Sequence, residues 1–274
     1  MIDDFGDRMK VYEELGNGRL CMPQLPVFAR LDGRAFHTFC KGLKKPFDEK
    51  FISLMAQVAK YLVDETHAVA AYHQSDEITL LWYQPDPKSQ IFFNGRIKKM
   101  TSTLAAMASA KLNQLLPEYL PEKAHLLPIF DCRVFQVPTL MEMTNVFLWR
   151  EQDALRNSIQ AAAQSFYSGK ELLGKSQKVL KELLRDEQGV IWQDYPHRAK
   201  RGAWVRRAKV IKAFSTEDLS KLPAKHNAHR NPELKVERYE TQVFTLEKNF
   251  GQLFNPIGVL LDGEIPIYKE DATL

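Results

Sequence analysis

Apolar runs and helical repeats alternate along the first half of the chain. Short apolar runs at residues 25–31, 67–73, 78–83 and 126–137 predict strands. Between the first two runs, and again over residues 95–116, apolar side chains recur every three or four positions, as they do in amphipathic helices. The resulting order of strand, helix, strand, strand, helix, strand is that of a ferredoxin-like βαββαβ palm, so we expect an α+β fold.

The second half of the chain has a different pattern. Helical periodicity covers two segments, residues 141–167 and 176–185. Residues 257–261 form a last apolar run, which predicts a strand. Because the pattern changes near Pro138, we expect a palm-like core over residues 1–138, with a mainly helical and basic region over residues 139–274 packed on it.

Composition places the chain among ordinary globular proteins. Hydrophobic residues make up 45% of it and charged residues 26%, and the net charge of +4 is too small to identify a polyanionic partner. The three cysteines lack Cys-x-x-Cys spacing, which favours a reduced protein over a disulfide framework or a zinc site. We find no signal-peptide pattern at the start of the chain and no apolar run near the roughly 18 residues of a membrane span, so we expect a cytoplasmic protein without membrane contacts.

One segment is strongly basic. Residues 196–212 contain no acidic residue and enclose the aromatic Trp204. The seven basic residues of this run are Arg198, Lys200, Arg201, Arg206, Arg207, Lys209 and Lys212. A run of one sign is often only a solvated surface, but an aromatic residue within it favours contact with a nucleic-acid backbone.

Two acidic turns follow predicted strands. Asp32-Gly33 ends the first strand, and Ser75-Asp76-Glu77 joins the second strand to the third. A right-handed crossover makes the first two strands parallel, so both turns should lie at one end of the sheet. Carboxylates and a glycine carbonyl suit hard divalent cations, and two such ions would support phosphoryl transfer. Each turn alone has an ordinary explanation in local hydrogen bonds of Asp, but their expected proximity favours a metal site.

Basic residues precede the two predicted helices of the first half. Lys44 and Lys45 lie just before the first helix, whereas Arg96 and Lys99 fall in the first turn of the second, behind the expected N-cap Asn94. Helix N-termini attract anions, so a triphosphate would explain cations at these positions. The alternative is that they are long solvated side chains.

The ordered set of motifs resembles the tRNA-His guanylyltransferase superfamily, whose members add nucleotides in the 3′-to-5′ direction. The resemblance covers roughly residues 25–160. Its motifs are Arg30-Leu31-Asp32-Gly33-Arg34 with Phe36 and His37, Lys45-Pro46 with Asp48, Gln74-Ser75-Asp76-Glu77, Arg96 with Lys99, Phe130-Asp131 with Arg133, Trp149-Arg150 with Asn157, and more loosely Lys200-Arg201-Gly202.

The resemblance implies roles for these residues. It implies metal binding by Asp32, the Gly33 carbonyl and Asp76, with catalytic support from Glu77 and Arg30. Nucleotide binding is implied for Arg34, Ala35, Phe36, His37, Lys45, Asp48, Ser75, Arg96 and Lys99. Contact with tRNA is implied for Arg133, Arg150, Asn157 and Lys200-Arg201, and the basic run adds Arg206 and Arg207.

The implied reaction is a two-step nucleotidyl transfer. ATP adenylylates the 5′-monophosphate of a tRNA, and the 3′-hydroxyl of an incoming nucleotide, usually GTP, then attacks the activated phosphate. Two Mg²⁺ ions, or Mn²⁺ in their place, would stabilise both steps. The resemblance also implies a homotetramer.

Departures from the family pattern narrow the expected substrate. The His-Ile-Asn-Asn motif of enzymes that add G to histidine tRNA is replaced by Leu155-Arg156-Asn157-Ser158. Cys132 also stands in place of a glycine, and Arg201 in place of a lysine. This pattern resembles the thg-like branch, which extends 5′-truncated tRNAs opposite a template. The alternatives are addition of G at position −1, another palm enzyme such as a nucleotidyl cyclase or forward polymerase, and a non-catalytic tRNA-binding module.

Overall fold

A computed structural model describes residues 4–16, 18–231 and 233–269. The strands are β1 Val27–Gly33, β2 Ala70–Gln74, β3 Glu77–Trp82, β4 Phe130–Gln136, β5 Ala203–Ala213 and β6 Lys235–Phe244. The helices are α1 Asp4–Gly16, α2 Phe36–Phe39, α3 Glu49–Thr66, α4 Ile97–Tyr119, α5 Leu140–Gln164, α6 Gly169–Leu172, α7 Gln177–Gln188, α8 His197–Arg201 and α9 Thr216–Lys221. In this part of the chain, no helix has the length and apolar character needed to cross a membrane.

The strands form one sheet in the order β4-β1-β3-β2-β5-β6. Every neighbouring pair is antiparallel. Since β1 and β2 both run antiparallel to β3, they are parallel to each other, as the crossover through α3 requires. The first four strands therefore have the order of a ferredoxin-like palm, and the predicted α+β fold is confirmed.

Helices cover both faces of the sheet because its strands are apolar on both sides. Side chains alternate between faces along a strand. Ala29 and Leu31 of β1 belong to the core cluster formed with α3 and α4, whereas Phe28 belongs to a second cluster that includes Phe147 of α5. The sheet is thus the middle layer between the α3–α4 pair and α5.

Helix α3 shows how local sequence fixes the architecture. The Asp48 carboxylate caps it by accepting the backbone N–H groups of Lys50 and Phe51 at 2.9 and 3.0 Å. Its predicted apolar stripe is buried, from Phe51 and Leu54 to Leu62. This cap sets the position where the chain enters the helix, beside the acidic turns.

The second half of the chain differs from the prediction in two places. Residues 203–212 of the basic run belong to strand β5, which pairs with β2 and β6, so the largely helical second half also supplies two strands to the sheet. Residues 257–261 do not form a strand, because Gly258–Asp262 is a π-helical turn. In β5 the basic side chains obscure the alternation that identifies a strand.

The start of α4 also differs from the prediction. Asn94 is not its N-cap, because Phe93 and Asn94 have positive φ angles of 49° and 53° in a short 3₁₀ turn. Arg96 occupies the N-cap position and makes no side-chain capping bond. The helix end therefore lacks the side-chain cap that the sequence suggested.

Candidate active site

The two acidic turns meet at one end of the sheet, as predicted. Asp32 lies near the end of β1 and pairs in register with Glu77 at the start of β3, immediately after Asp76. Asp32 and Asp76 both line a cavity of about 550 Å³. Burial raises the pKa of Asp76, and the negative charge of Asp32 raises it further, whereas hydrogen bonds from its own backbone and from Ser75 lower it. The two carboxylates therefore interact across 44 residues of sequence.

Backbone conformation at the two turns explains their residue types. At Gly33, an added Cβ atom would overlap the ring of Phe36, so only glycine fits beneath this ring. Ser75 has a φ of 52°, in the left-handed region that non-glycine residues seldom adopt. Both carboxylates are thus carried on backbone that the surrounding structure tightly constrains.

Glu77 is held by an arginine from α5. Arg150 donates from Nε to Oε1 of Glu77 at 2.6 Å and from Nη2 to Oε2 at 2.8 Å, and Nη2 also donates to Asp153 Oδ2 at 2.8 Å. Burial raises the pKa of Glu77, while Arg150 and Arg30 oppose that shift. Arg150 is only 9% exposed, so the structure does not support the predicted tRNA contact of this residue. Its guanidinium is occupied by two carboxylates inside the protein.

The loop before α3 forms another wall of the cavity. Asp48 Oδ2 accepts the backbone N–H of Lys44 at 3.1 Å, so the residue predicted to bind nucleotide anchors this loop. Lys44 and Lys45 are exposed and line the cavity. His37 lines it as well, with Nε2 at 3.0 Å from the Thr38 hydroxyl. The loop thus brings positive charge to the rim that carries Asp32 and Asp76.

Helices α5 and α8 complete the cavity, so both halves of the chain build the site. Asn157, predicted to contact tRNA, lies in this lining. Asp153, Gln164 and Arg198 also line it and were missed as site residues. Asp153 was detectable by its helical spacing from Arg150, since residues three apart lie on one helix face. Arg198 forms an ion pair with Glu49 at the start of α3, a long-range contact without a local sequence signal.

Arg96 and Lys99 do not belong to this cavity. The Ser109 hydroxyl of α4 accepts the N–H of Phe130 at the start of β4, next to Gly33. At a helix rise of about 1.5 Å per residue, the start of α4 lies about 18 Å farther along the sheet, at its other end. Within one protomer, Arg96 and Lys99 therefore lie far from Asp32, Asp76 and Lys45, and the nucleotide contact predicted for them is not part of this cavity.

Arg30 and Arg133 lie beside the cavity rather than in its lining. They are cross-strand partners on β1 and β4 and point to the face that also carries Asp32. The Arg30 guanidinium lies 5.4 Å from the ring centre of Trp149, and Arg133 Nε lies 3.7 Å from Asp131. These two arginines place positive charge next to the acidic rim.

The turn after β1 contributes less to the cavity than the sequence suggested. Arg34 and Ala35 are exposed but do not line it. Phe36 is 2% exposed and packs against Phe39 and Phe130, so its side chain is a core residue and does not fit the predicted nucleotide contact.

The basic run is largely occupied by contacts within the protein. Lys200 is 4% exposed and bonds the Gln193 carbonyl, and Trp204 is buried, so neither fits the predicted phosphate-binding surface. The other members are also engaged: Arg201 donates to the Glu247 carbonyl, Arg206 to the carbonyls of Val259 and Glu264, Lys209 and Lys212 pair with Glu237 and Glu240 on β6, and Arg207 lies over Tyr239. The sequence of the basic run could not predict these ion pairs, because the acidic partners lie on the later strand β6.

The donor set at the acidic rim fits a hard cation. Asp32 and Asp76 supply carboxylate oxygens, and Gly33, the residue after Asp32, supplies a backbone carbonyl. Across residues 4–16, 18–231 and 233–269, no three His, Cys, Asp or Glu side chains are grouped to hold a metal by themselves. A bound Mg²⁺ would thus need backbone, water or phosphate oxygens as well, which is usual for this ion.

A palm sheet with two carboxylates beside a lysine-lined cavity has the features expected of a nucleotidyltransferase. The model of the tRNAHis guanylyltransferase (Thg1) family matches residues 6–138. A bacterial tRNA(His) guanylyltransferase (Thg1)-like protein solved with ATP is 33% identical, with a TM-score of 0.70, covering 87% of this chain and 91% of its own. One solved with GTP is 30% identical, with a TM-score of 0.62, covering 88% and 91%. The tRNA(His) guanylyltransferase of Saccharomyces cerevisiae is 28% identical over 68% of this chain and 84% of its own.

The chain belongs to the tRNAHis guanylyltransferase (Thg1) superfamily.

Proposed function

We propose that this protein adds nucleotides in the 3′-to-5′ direction to the 5′ end of truncated tRNA. The observation that carries the proposal is the convergence of Asp32 and Asp76 at the cavity that also exposes Lys44 and Lys45. The ATP and GTP complexes of the bacterial relatives support binding of both nucleotides.

The proposed reaction has two balanced steps. A 5′-phosphate oxygen of the tRNA attacks the α-phosphorus of ATP, which forms a 5′-adenylylated end and releases pyrophosphate. The 3′-hydroxyl oxygen of the incoming nucleotide then attacks the 5′-phosphorus of the tRNA, and AMP leaves. The new phosphodiester bond places the triphosphate of the added nucleotide at the new 5′ end.

Different residues at the cavity would bind the metal and the phosphates. Asp32, Asp76 and the Gly33 carbonyl would hold Mg²⁺ or Mn²⁺, which neutralises charge during phosphoryl transfer. Lys44 and Lys45 would attract the phosphates of ATP to the rim. These roles, the division at residue 138, a homotetramer and a cytoplasmic location are parts of the proposal.

Repair of truncated tRNA is favoured over addition of G at position −1. Asn157 and Ser158 line the cavity, whereas Leu155 packs against the separate apolar cluster around Ile159 and Leu184. The position of the missing motif histidine thus carries an apolar side chain that packs in a core. Addition of G at position −1 remains the second candidate, because the chain shares its family with the yeast enzyme.

The direct test supplies Mg²⁺, ATP, all four nucleoside triphosphates and a 5′-monophosphorylated tRNA that lacks its first nucleotide. We expect extension by the nucleotide complementary to the opposite strand, and none with Asp76→Ala. If ATP binds but the RNA is not extended, the proposal is wrong.

Two further substrates separate the alternatives. A histidine tRNA lacking its extra G that is extended faster than the truncated tRNA would favour addition at position −1. A cyclic product from ATP or GTP alone would identify a cyclase.

A further inference from the structure

Glu77 and Arg150 form a closed pair next to the proposed metal site. Both oxygens of Glu77 accept a hydrogen bond from Arg150, at 2.6 and 2.8 Å. The two side chains are 16% and 10% exposed. A bidentate pair of this kind fixes orientation as well as charge. The carboxylate of Glu77 is thus neutralised and aimed at α5.

Glu77 is also the cross-strand partner of Asp32, and Asp76 precedes it in the chain. Cross-strand partners point to the same face, and like charges at such positions repel each other. Without Arg150, three carboxylates would surround one end of β1. Glu77 would then be free to join any ion held by the other two.

Arg150 is itself anchored in its place. Its Nη2 donates to Asp153 Oδ2 at 2.8 Å, one turn along α5. Its guanidinium carbon lies 4.3 Å from the ring centre of Trp149. These contacts hold the guanidinium on the α5 side of Glu77, so the pair is a fixed element of the site wall.

We propose that Arg150 is a positioning residue that keeps Glu77 out of the metal coordination sphere, leaving Asp32, Asp76 and the Gly33 carbonyl to bind the metal. The inference rests on the proposed function, since it presupposes a divalent metal at Asp32 and Asp76. In this proposal Glu77 lines the cavity with its charge neutralised by Arg150, and it does not bind the metal.

The test measures Mn²⁺ binding to the full chain by electron paramagnetic resonance, without nucleotide or RNA. We expect Glu77→Gln to leave the Mn²⁺ dissociation constant within about twofold of wild type, because ligand charge at the ion is unchanged. Arg150→Gln should tighten Mn²⁺ binding about tenfold, because the released carboxylate joins the site. The double variant should return to the wild-type value.

Arg156→Gln is the matched control. Arg156 lies on the same helix and bonds Asp153 at 2.8 Å, and no contact joins it to Glu77 in the part of the chain that the structure describes. It should bind Mn²⁺ like wild type, which excludes a general effect of removing a positive charge from α5. Thermal unfolding of each variant checks the fold. If Arg150→Gln does not fold, the double variant tests whether Glu77 is a ligand, since it leaves neither charge unpaired.

Two results would overturn the inference. One is a tenfold or greater loss of Mn²⁺ affinity in both Glu77→Gln and the double variant, which would make Glu77 a ligand because the double variant leaves no unpaired Arg150 charge beside the ion. The other is unchanged affinity in a folded Arg150→Gln variant. Either result, with wild-type Mn²⁺ binding and tRNA extension intact, would leave the proposed function standing. A wild-type protein that binds no Mn²⁺ and does not extend tRNA would instead defeat the function and this role together.

Discussion

Glu151 of α5 accepts the backbone N–H of Phe250 at 2.7 Å in the interior of the protein. Glu151 is only 1% exposed. Its second carboxylate oxygen, Oε1, has no hydrogen-bond partner among the described residues. Burial raises the pKa of Glu151 to about 7, although the Phe250 N–H and the charge of Arg201 both lower it. The contact between α5 and the C-terminal segment therefore contains a carboxyl group that titrates near neutral pH.

Titration of Glu151 should lower the free energy of unfolding of the protein as the pH rises from about 4.5 to about 7. The unfolded chain releases the Glu151 proton near 4.5, whereas the folded protein retains it up to about 7. In this window the folded state binds more protons, so raising the pH disfavours it. At about 1.4 kcal/mol per pKa unit the loss is about 3 kcal/mol, complete above the folded pKa.

Urea unfolding of wild type and Glu151→Gln at pH 5 and pH 8 measures this loss. The variant should gain about 2.5 kcal/mol relative to wild type between the two pH values, since its amide does not titrate and part of the wild-type loss has already occurred at pH 5. Glu142→Gln, at an exposed position of the same helix, should show no such gain. Equal pH dependence in wild type and Glu151→Gln would show that Glu151 is not the group responsible.

Gly33→Ala should destabilise the turn that carries Asp32. The new methyl group would overlap the Phe36 ring, and overpacking of this kind costs about 1–3 kcal/mol. We expect a lower free energy of unfolding and a large loss of tRNA extension, because Asp32 is the adjacent residue. Gly169→Ala is the control, since an added Cβ there has open space around it.

A second substitution tests the cause of this effect. Phe36→Leu should recover part of the stability lost in Gly33→Ala, because the smaller side chain vacates the space above residue 33. Additive losses in the double variant would mean that the Phe36 ring does not explain the need for glycine.

Removal of either rim carboxylate should abolish nucleotide addition. Asp32→Asn and Asp76→Asn should each lower the rate of tRNA adenylylation at least about 100-fold. Substitution of residues that only support metal ligands already costs up to about 100-fold, and the loss of a ligand should cost more. Asp131→Asn is an informative comparison, since Asp131 is the other cross-strand neighbour of Asp32 but does not line the cavity. It should change the rate by no more than about threefold, as expected of an exposed charge outside the metal site.

A single-turnover assay with labelled ATP and saturating Mg²⁺ provides the measurement. Chelation of divalent cations should stop adenylylation in wild type, and added Mg²⁺ should restore it. Substantial activity in Asp76→Asn, or an equal loss in Asp131→Asn, would contradict the assignment of Asp32 and Asp76 as the ligand pair.

The palm half of the fold was predictable because its signals are local or topological. Helix α3 follows from the Asp48 cap and a regular apolar stripe. The meeting of Asp32 and Asp76 follows from the handedness of one crossover, which needs no knowledge of side-chain packing. These signals placed the acidic turns correctly at one end of the sheet.

The missing parts of the site depend on contacts between distant segments. Arg150 reaches Glu77 across 73 residues, and the sequence does not show which face α5 presents to the sheet. Helical spacing placed Arg96 at the start of α4 without showing that this helix end lies far from Asp32. The basic run gave no sign of its acidic neighbours, because those residues come from the later strand β6.

Lys45 should contribute directly to ATP binding. It is exposed at the cavity rim, on the loop that Asp48 anchors. Loss of one charge-assisted phosphate contact costs about 1.5 kcal/mol or more, so Lys45→Ala should weaken ATP binding about tenfold. Equilibrium binding of a fluorescent ATP analogue at several salt concentrations measures the effect.

Lys50→Ala is the matched control for Lys45→Ala. Lys50 carries the same charge five residues later, is exposed in the first turn of α3, and does not line the cavity. It should lower ATP affinity by less than about twofold, because a distant exposed charge is screened by salt. The difference in ATP affinity between wild type and Lys45→Ala should shrink as ionic strength rises, because salt screens the attraction between Lys45 and the phosphates. Equal weakening by both substitutions would indicate a general field effect and would remove Lys45 from the proposed phosphate-binding rim.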